Sequence, residues 1–547
     1  MGSLSKASQQ LAASNQCWRD SVPQSSRALR RCLLPARPPS PRPPPPPGPA
    51  RRAGSWPPPY ARGMQRSPMH MSAEAQDALR SALEELRAEL KVPLSFPKRV
   101  LKAADKAASE ARLPDKDATH LPFFTIDPPT SKDLDQAMHL ERRPGGGYRV
   151  YYAIADVATF VRAGSPLDIE AHDRIETLYF PDLKVPLHPP VLSEGAASLL
   201  PNKDRPALLW QHDLDAHGNL TDSSVSRAMI RSRAQLDYAG AQQAIDNGTA
   251  EESLALLREI GELREAVEIA RGGISVNLPD QEVTLEDGSF RLRYVATLPV
   301  EGWNEQISLM TGMSAAQIML DMGTGILRTQ KEQADQNVIK RLHDIAKALG
   351  IVWRPGISYA ALVRKLDPEN QQHMAFLTEA TSTMLKAEYT VFRDSQKPAY
   401  TMHAAIAAPY THCTAPLRRL VDRYTGELCV MACADKAPPN WVLDALSCIP
   451  CDTARGKGGL ADRQTVDLAE AAVLKDRVGE VFDAAVIDID AERGRPREGK
   501  VFLADPAVLA KVVSTNGLDL QLGSSIRARL KQADPAADED KVLFTVP

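Results

Sequence analysis

The sequence predicts an α+β fold: a small helical domain, a mixed body of strands and helices, and a closing β-barrel of the OB type. Three observations predict it. Leu79, Leu83, Leu86 and Leu90 recur at helical spacing. Val150, Tyr152 and Ile154 alternate with Tyr151, Ala153 and Ala155, as a strand would. Short β-rich runs at 481–489, 499–503, 510–514 and 525–530 follow one another between polar turns, the spacing of a small barrel.

Residues 1–70 precede all of this. They hold 15 of the 43 prolines and eleven Lys/Arg against one acid, Asp20. Such a segment buries too little apolar surface to fold, so disorder is expected. Its Arg- and Ser-rich character suits an organelle transit peptide, yet it lacks a clear amphipathic helix, and Met64 or Met71 could be the true start. A basic RNA-tethering tail is a further reading.

Order is expected from Ser72, a plausible N-cap, with a second short helix after Pro97. This makes 71–117 a small helical domain. A body follows at 118–435, opening with strands and then dominated by helical patterns such as Ser253–Ala270, Asn304–Met322 and Ala415–Met431. Residues 436–477 read as a helical remainder or linker, and 478–547 as the barrel.

The chain has 547 residues, which suits about three or four domains. No run of 18 apolar residues appears, so no membrane span is expected. Seven cysteines in this length make no disulfide scaffold and point to a reducing compartment, the cytoplasm, unless residues 1–70 direct import. The net charge is −3, of which residues 1–70 carry +10 and the remainder −13. Bulk charge neither favours nor excludes a nucleic-acid substrate, because only local Lys/Arg along a strand path matters.

Asp127, Asp133 and Asp135 fall within nine residues, and Pro128-Pro129 forces a turning path between the first two. The loop can fold back and gather the three carboxylates. Like charges this close need a cation. Hard oxygen donors without nearby Cys or His favour Mg²⁺ or Mn²⁺ over zinc. Carboxylate-held divalent ions suit phosphodiester hydrolysis. A solvated Asp-rich turn is the alternative on spacing alone.

The stretch Phe123-Phe124-Thr125-Ile126-Asp127 through Asp133-Leu134-Asp135-Gln136 resembles the signature loop of the ribonuclease II (RNB) family. Further blocks resemble that family in order: Val150–Thr159, then Thr177-Leu178-Tyr179-Phe180-Pro181, then Ser198-Leu199-Leu200-Pro201, and last Tyr410 through Tyr424 with Thr414-Ala415-Pro416-Leu417-Arg418. The resemblance runs from about 120 to 430. It implies an RNB catalytic domain and a terminal RNA-binding barrel. It also implies a magnesium-dependent 3′-to-5′ exoribonuclease that degrades single-stranded RNA to nucleoside 5′-monophosphates. No partner other than RNA is required, so a monomer is expected.

The resemblance also implies roles. Asp127, Asp133 and Asp135 match three of the family's metal-binding acids, and Gln136 stands where the family usually has a fourth. Asp135, Gln136 and Arg418 are the expected catalytic residues. Tyr179 matches an aromatic that stacks on the terminal base; a core tyrosine is the alternative. Arg418 matches an arginine that could pair with the scissile phosphate. Arg419 is expected beside it on RNA, and Arg423 either there or on a solvated face. Pro416 and Thr414 read as the first turn and N-cap of a helix whose N-terminus would favour an anion. Asp156 is either a supporting group of the site or a strand-end turn residue, and His403 and His412 are expected to be structural. Cys429, Cys433, Cys448 and Cys451 have a spacing compatible with zinc, but the first pair lies on a predicted helix, where cysteines are often small buried hydrophobes.

Two rival functions remain open on sequence: an RNA-binding protein with weak or no turnover, because of Gln136, and a phosphoesterase acting on small substrates. A DNA nuclease is a third, which matched RNA and DNA oligonucleotides would separate.

Overall fold

The first half of the body is organised by a closed five-stranded barrel. Its strands are β1 (Phe123–Ile126), β2 (Gln136–Arg142) and β3 (Tyr148–Ala155), followed further on by β6 (Asp204–Leu214) and β7 (Leu220–Leu236). Neighbours run antiparallel except where the barrel closes: β1 pairs with β7 in parallel, Ile126 opposite Leu236. That parallel seam decides where chemistry can sit. The chain leaves β1 at Asp127 and leaves β7 at Asp237 from the same end, joined by a hydrogen bond from the Asp127 amide to Leu236 O at 3.0 Å. The start of β2 and the end of β3 share that end, Gln136 opposite Ile154. The Asp loop, the 156–203 excursion and Tyr238 therefore rise from one rim.

The excursion carries α3 (Pro166–Arg174) and a tight hairpin, β4 (Leu178–Tyr179) with β5 (Lys184–Val185). After the barrel come α4 (Tyr238–Asp246) and α5 (Glu252–Arg271), the hairpin β8 (Asp280–Glu286) and β9 (Ser289–Val295), and the long α6 (Pro299–Met322). Then β10 (Gly325–Thr329) pairs with β11 (Glu388–Phe392), with α7 (Gln336–Ala348), α8 (Tyr359–Val363) and α9 (Gln371–Ser382) between them. A two-residue pairing of β12 (Met402–His403) with β13 (Ala408–Pro409) leads to α10 (Leu420–Cys433), α11 (Asn440–Leu446), α12 (Ile449–Ala454) and α13 (Gly458–Leu474). The predicted helical stretch is thus broken by three two-stranded pairings. Their strands are short, and their periodicity is lost among the longer helices.

This computed structural model describes residues 71–546, apart from 275–279, 296, 332–335, 368–369, 383–385, 491–494 and 505–506. The readings made for residues 1–70 lie outside the described residues. At the start of the described chain, α1 (Ala73–Glu89) is capped by the Ser72 hydroxyl, which accepts from Ala75 N. Its stripe of Leu79, Leu83 and Leu86 packs against Leu468 and Ala472 of α13 and against Leu178, Phe180 and Val185 of the β4–β5 hairpin. The second helix, α2 (Lys98–Glu110), buries Val100 and Ala104 in a different core, with Phe123, Leu134 and Leu417. Both helices thus buttress the rim from outside.

The chain ends in a second closed barrel: β14 (Val481–Asp490), β15 (Arg495–Ala504), β16 (Ala507–Ser514), β17 (Ser525–Ala533) and β18 (Val542–Val546), in the order β14-β15-β16-β18-β17. The parallel pair is β16 with β18, as an OB-fold requires. Four of these strands were legible in the sequence pattern; β18 was not.

Candidate active site

The Asp loop is fixed by what lies between its acids. Leu134 is fully buried, in one core with Phe123, Ala155 and Leu417. Its amide donates to Ser198 Oγ at 2.9 Å and its carbonyl accepts from Leu199 N at 3.0 Å. Burying Leu134 in this way fixes the backbone from which Asp133 and Asp135 project.

Asp135 is the member of the loop that meets the Arg418 segment. Its Oδ1 accepts the Leu417 amide at 2.8 Å, and its Oδ2 lies 3.6 Å from Arg418 Nε. Two segments 282 residues apart in sequence therefore meet on one carboxylate. The turn that presents Leu417 and Arg418 is itself built by Asp422. Asp422 Oδ1 accepts the Ala415 amide at 2.7 Å, and Thr177 N donates to Arg418 O at 3.0 Å. Arg418 keeps its side chain 46% exposed, free to reach a ligand.

This differs from the predicted helix start. The helix begins at Leu420, with Arg419 as N-cap, and the Thr414 hydroxyl pairs with Ser308. Pro416 and Thr414 look like a first turn and a cap, but Asp422 captures the Ala415 amide and winds 415–419 into a separate turn. Arg418 stands before the helix, not on it.

Asp133 faces another way. Lys184 Nζ lies 3.0 Å from its Oδ1, and the Tyr179 hydroxyl lies 3.3 Å from its Oδ2. Tyr179 and Lys184 are directly opposed across the β4–β5 hairpin, so both side chains project from one face. Tyr179 is 47% exposed, which leaves its ring available, and it is not a core residue. Gln136 is held at both ends of its amide: Nε2 donates to Thr414 O and Oε1 accepts from the Tyr152 hydroxyl, each at 2.7 Å.

Among the described residues, no three His, Cys, Asp or Glu side chains close on a common point. Asp133 is drawn to Lys184 and Tyr179, so the three aspartates do not converge as the loop spacing suggests. Protein groups alone leave Asp127 and Asp135 electrostatically unsatisfied. Burial pushes the Asp127 carboxyl up to about 7, with the charges of Asp135 and Asp133 adding to the rise. Burial likewise pushes Asp135 up to about 7, against the pull of Arg418 and of the Leu417 amide. A buried carboxyl and a half-buried one, both destabilised as anions, with the amide oxygen of neighbouring Gln136, are a donor set that fits a hard divalent cation. Asp127, Asp135 and Gln136 would hold it.

The remaining sequence candidates are taken up by the protein. Arg419 chelates Asp422, Nε to Oδ2 at 3.0 Å and Nη2 to Oδ1 at 2.8 Å, so its fork braces the turn that carries Arg418. Arg423 is buried, paired with Asp168 and the Val161 carbonyl, and lies on neither a solvated face nor the site. Asp156 is buried against Arg227 at 2.7 Å and accepts from the Thr159 hydroxyl. His412 is half-buried with a hydrogen bond to the Tyr389 hydroxyl, and desolvation pushes its pKa well down. Cys429 is buried with its thiol on Ala315 O, whereas Cys433, Cys448 and Cys451 are exposed and free; the four do not gather.

Sequence reasoning missed Lys184, Tyr152, Ser308 and Asp422. A signal for Lys184 existed: Pro181-Asp182 after Tyr179 marks a turn, and a turn there sets Lys184 opposite Tyr179.

Comparison with known proteins gives the family and the fold. Residues 480–546 match the RNase II-type exonuclease C-terminal S1 domain. Ribonuclease R of Escherichia coli is 28% identical over 344 residues, which cover 58% of this chain and 40% of that protein. The chain thus spans well under two thirds of that relative. Among solved structures, Mycoplasma genitalium RNase R in complex with ribose-methylated single-stranded RNA superposes with a TM-score of 0.74 at 19% identity, over 86% of this chain and 78% of that one. Yeast Ssd1, described as a pseudonuclease, superposes with a TM-score of 0.55 at 16% identity, over 77% and 53%. These two likenesses concern the fold. The RNB domain itself matches residues 115–433, more than half of the sequence, and the chain belongs to the RNB family.

Proposed function

We propose that this chain is a hydrolytic 3′-to-5′ exoribonuclease that degrades single-stranded RNA to nucleoside 5′-monophosphates with Mg²⁺, or Mn²⁺ in its place. The observation that carries this reading is the meeting of the Asp loop and the Arg418 turn on Asp135. A phosphodiester brought there would have a carboxylate floor on one side and a half-exposed guanidinium on the other. Arg418 can take the charge that develops on the phosphate oxygens. A divalent ion held by Asp127 and Asp135 would supply an activated water and shield the phosphate. The exposed Tyr179 ring offers a sequence-tolerant stacking face for the terminal base. That RNase R is solved with single-stranded RNA supports the substrate class.

The protein is proposed to act as a cytoplasmic monomer. No helix among the described residues is long and apolar enough to cross a membrane.

Gln136 motivates a second reading, an RNA-binding protein without turnover, and the likeness to a pseudonuclease keeps it in view. A time course on 5′-labelled single-stranded RNA, with Mg²⁺ and with EDTA, beside Asp135→Asn, separates the two. Metal-dependent conversion to short end products, lost in the variant, is expected. Binding without cleavage in Mg²⁺ and Mn²⁺ alike would establish the second reading.

A further inference from the structure

We propose that the ammonium of Lys184 serves as a resident cation for Asp133, so that this chain binds one divalent ion at its Asp loop and not two. The inference rests on the nuclease reading above and concerns how its metal site is charged.

Three observations converge. Asp133 has both carboxylate oxygens engaged, one by Lys184 Nζ at 3.0 Å and the other by the Tyr179 hydroxyl at 3.3 Å. Lys184 is itself held in place by Glu194 Oε1 at 2.5 Å, so the ammonium bridges two carboxylates as a small cation would. Gln136, next to Asp135, brings no charge, and its amide is hydrogen-bonded at both ends.

Charge makes the case quantitative. Asp127, Asp133, Asp135 and Glu194 bring four negative charges, and Lys184 and Arg418 return two. The net of −2 is neutralised by one divalent ion. A second ion ligated to Asp133 would meet a positive charge already in contact with the same carboxylate, in a partly buried place where water screens poorly. Lys184 is restrained at both ends. Its backbone is paired opposite Tyr179 in a hairpin pegged by Phe180 and Val185 in the core shared with α1, and its ammonium is held by Asp133 and Glu194. Lys184 is a positioning residue: it neutralises Asp133 and keeps the hydroxyl end of Tyr179 beside it.

The test counts ions on the intact chain with Mn²⁺ as an EPR-visible probe, by equilibrium titration of wild type, Lys184→Met and Lys184→Arg. The expected result is one Mn²⁺ per chain in wild type and in Lys184→Arg, and two in Lys184→Met. Two ions in wild type would overturn the inference, whether or not the methionine variant folds, and leave the nuclease reading standing. A folded Lys184→Met that still binds one ion would also overturn it. No site-bound Mn²⁺ in wild type, with none lost in Asp135→Asn, would overturn the metal reading of the nuclease itself.

Discussion

The floor of the site and its rim are built on different principles. The floor is Asp135 with the Leu417 amide and the Arg418 turn: buried, backbone-anchored, and joined across 282 residues of sequence. The rim is Asp133 with Tyr179 and Lys184: partly exposed and side chain to side chain, the last two presented by a short hairpin, Leu178–Val185. A backbone donor survives every substitution except proline. A side-chain rim can be retuned one residue at a time. The floor is therefore where chemistry should be intolerant of change, and the rim is where substrate hold and ion count should be adjustable.

The sharpest way to break this comparison is Asp135→Asn. The amide can still accept from Leu417 N, so the turn survives, but the buried negative charge is gone. Turnover should fall by about three orders of magnitude, with RNA affinity unchanged within about threefold. Normal turnover would remove Asp135 from the floor. The next largest effect should come from Asp422→Ala, which strips Arg419 of its partner and frees the Ala415 amide. Unpairing a charge in so closed a place costs about 3 kcal/mol. Urea unfolding should show a lowered midpoint, and an unchanged midpoint would mean that the Arg418 turn stands without this brace.

At the floor, protons and metal should compete for the same carboxyls. Asp127 and Asp135 are both raised to about 7, so near that pH the metal-free fold keeps protons that the unfolded chain has released. Stability without metal therefore falls as pH rises from the ordinary carboxylate range toward 7. Metal must displace those protons, so its affinity rises over the same range. The thermal stabilisation given by Mg²⁺ should be larger at pH 8 than at pH 6. Equal stabilisation at both would show that these two carboxyls are not the ligands.

How much of this was legible in the sequence follows the same division. The Asp loop and the Thr414–Arg418 segment could be read directly, because each is a local run with its own chemistry. So could four of the five terminal strands. What was hidden are pairings. Arg419 and Arg423 look alike as nearby basic residues, yet one chelates Asp422 three residues on and the other reaches Asp168, 255 residues back. No periodicity encodes such a partner. Lys184 was hidden for a gentler reason: its place opposite Tyr179 depends on the register of a hairpin, and only the turn residues hint at that register.

On the rim, Tyr179→Ala should weaken single-stranded RNA binding by about 1–3 kcal/mol, the usual worth of one stacked base. It should also lengthen the smallest end product, since the terminal nucleotides lose their seat. A product ladder identical to wild type would place the ring outside the RNA path.

Gln136→Asp is the smallest expected effect and the most discriminating, because Gln136 lies between floor and rim. The change adds a charge next to Asp135 but removes the donor to Thr414 O and shortens the reach to the Tyr152 hydroxyl. A lost buried hydrogen bond lowers stability by about 1 kcal/mol. The added charge should tighten Mg²⁺ binding by about tenfold, equivalent to a similar energy. The two effects oppose each other and can be read separately, one by urea unfolding in EDTA and one by Mg²⁺ titration. Tighter Mg²⁺ with a weaker apo fold would mean that the amide oxygen of Gln136 is a neutral ligand standing where a charged one can also work. A weaker fold with unchanged Mg²⁺ binding would assign Gln136 to the floor alone, as a strut between β2, Tyr152 and the Arg418 turn.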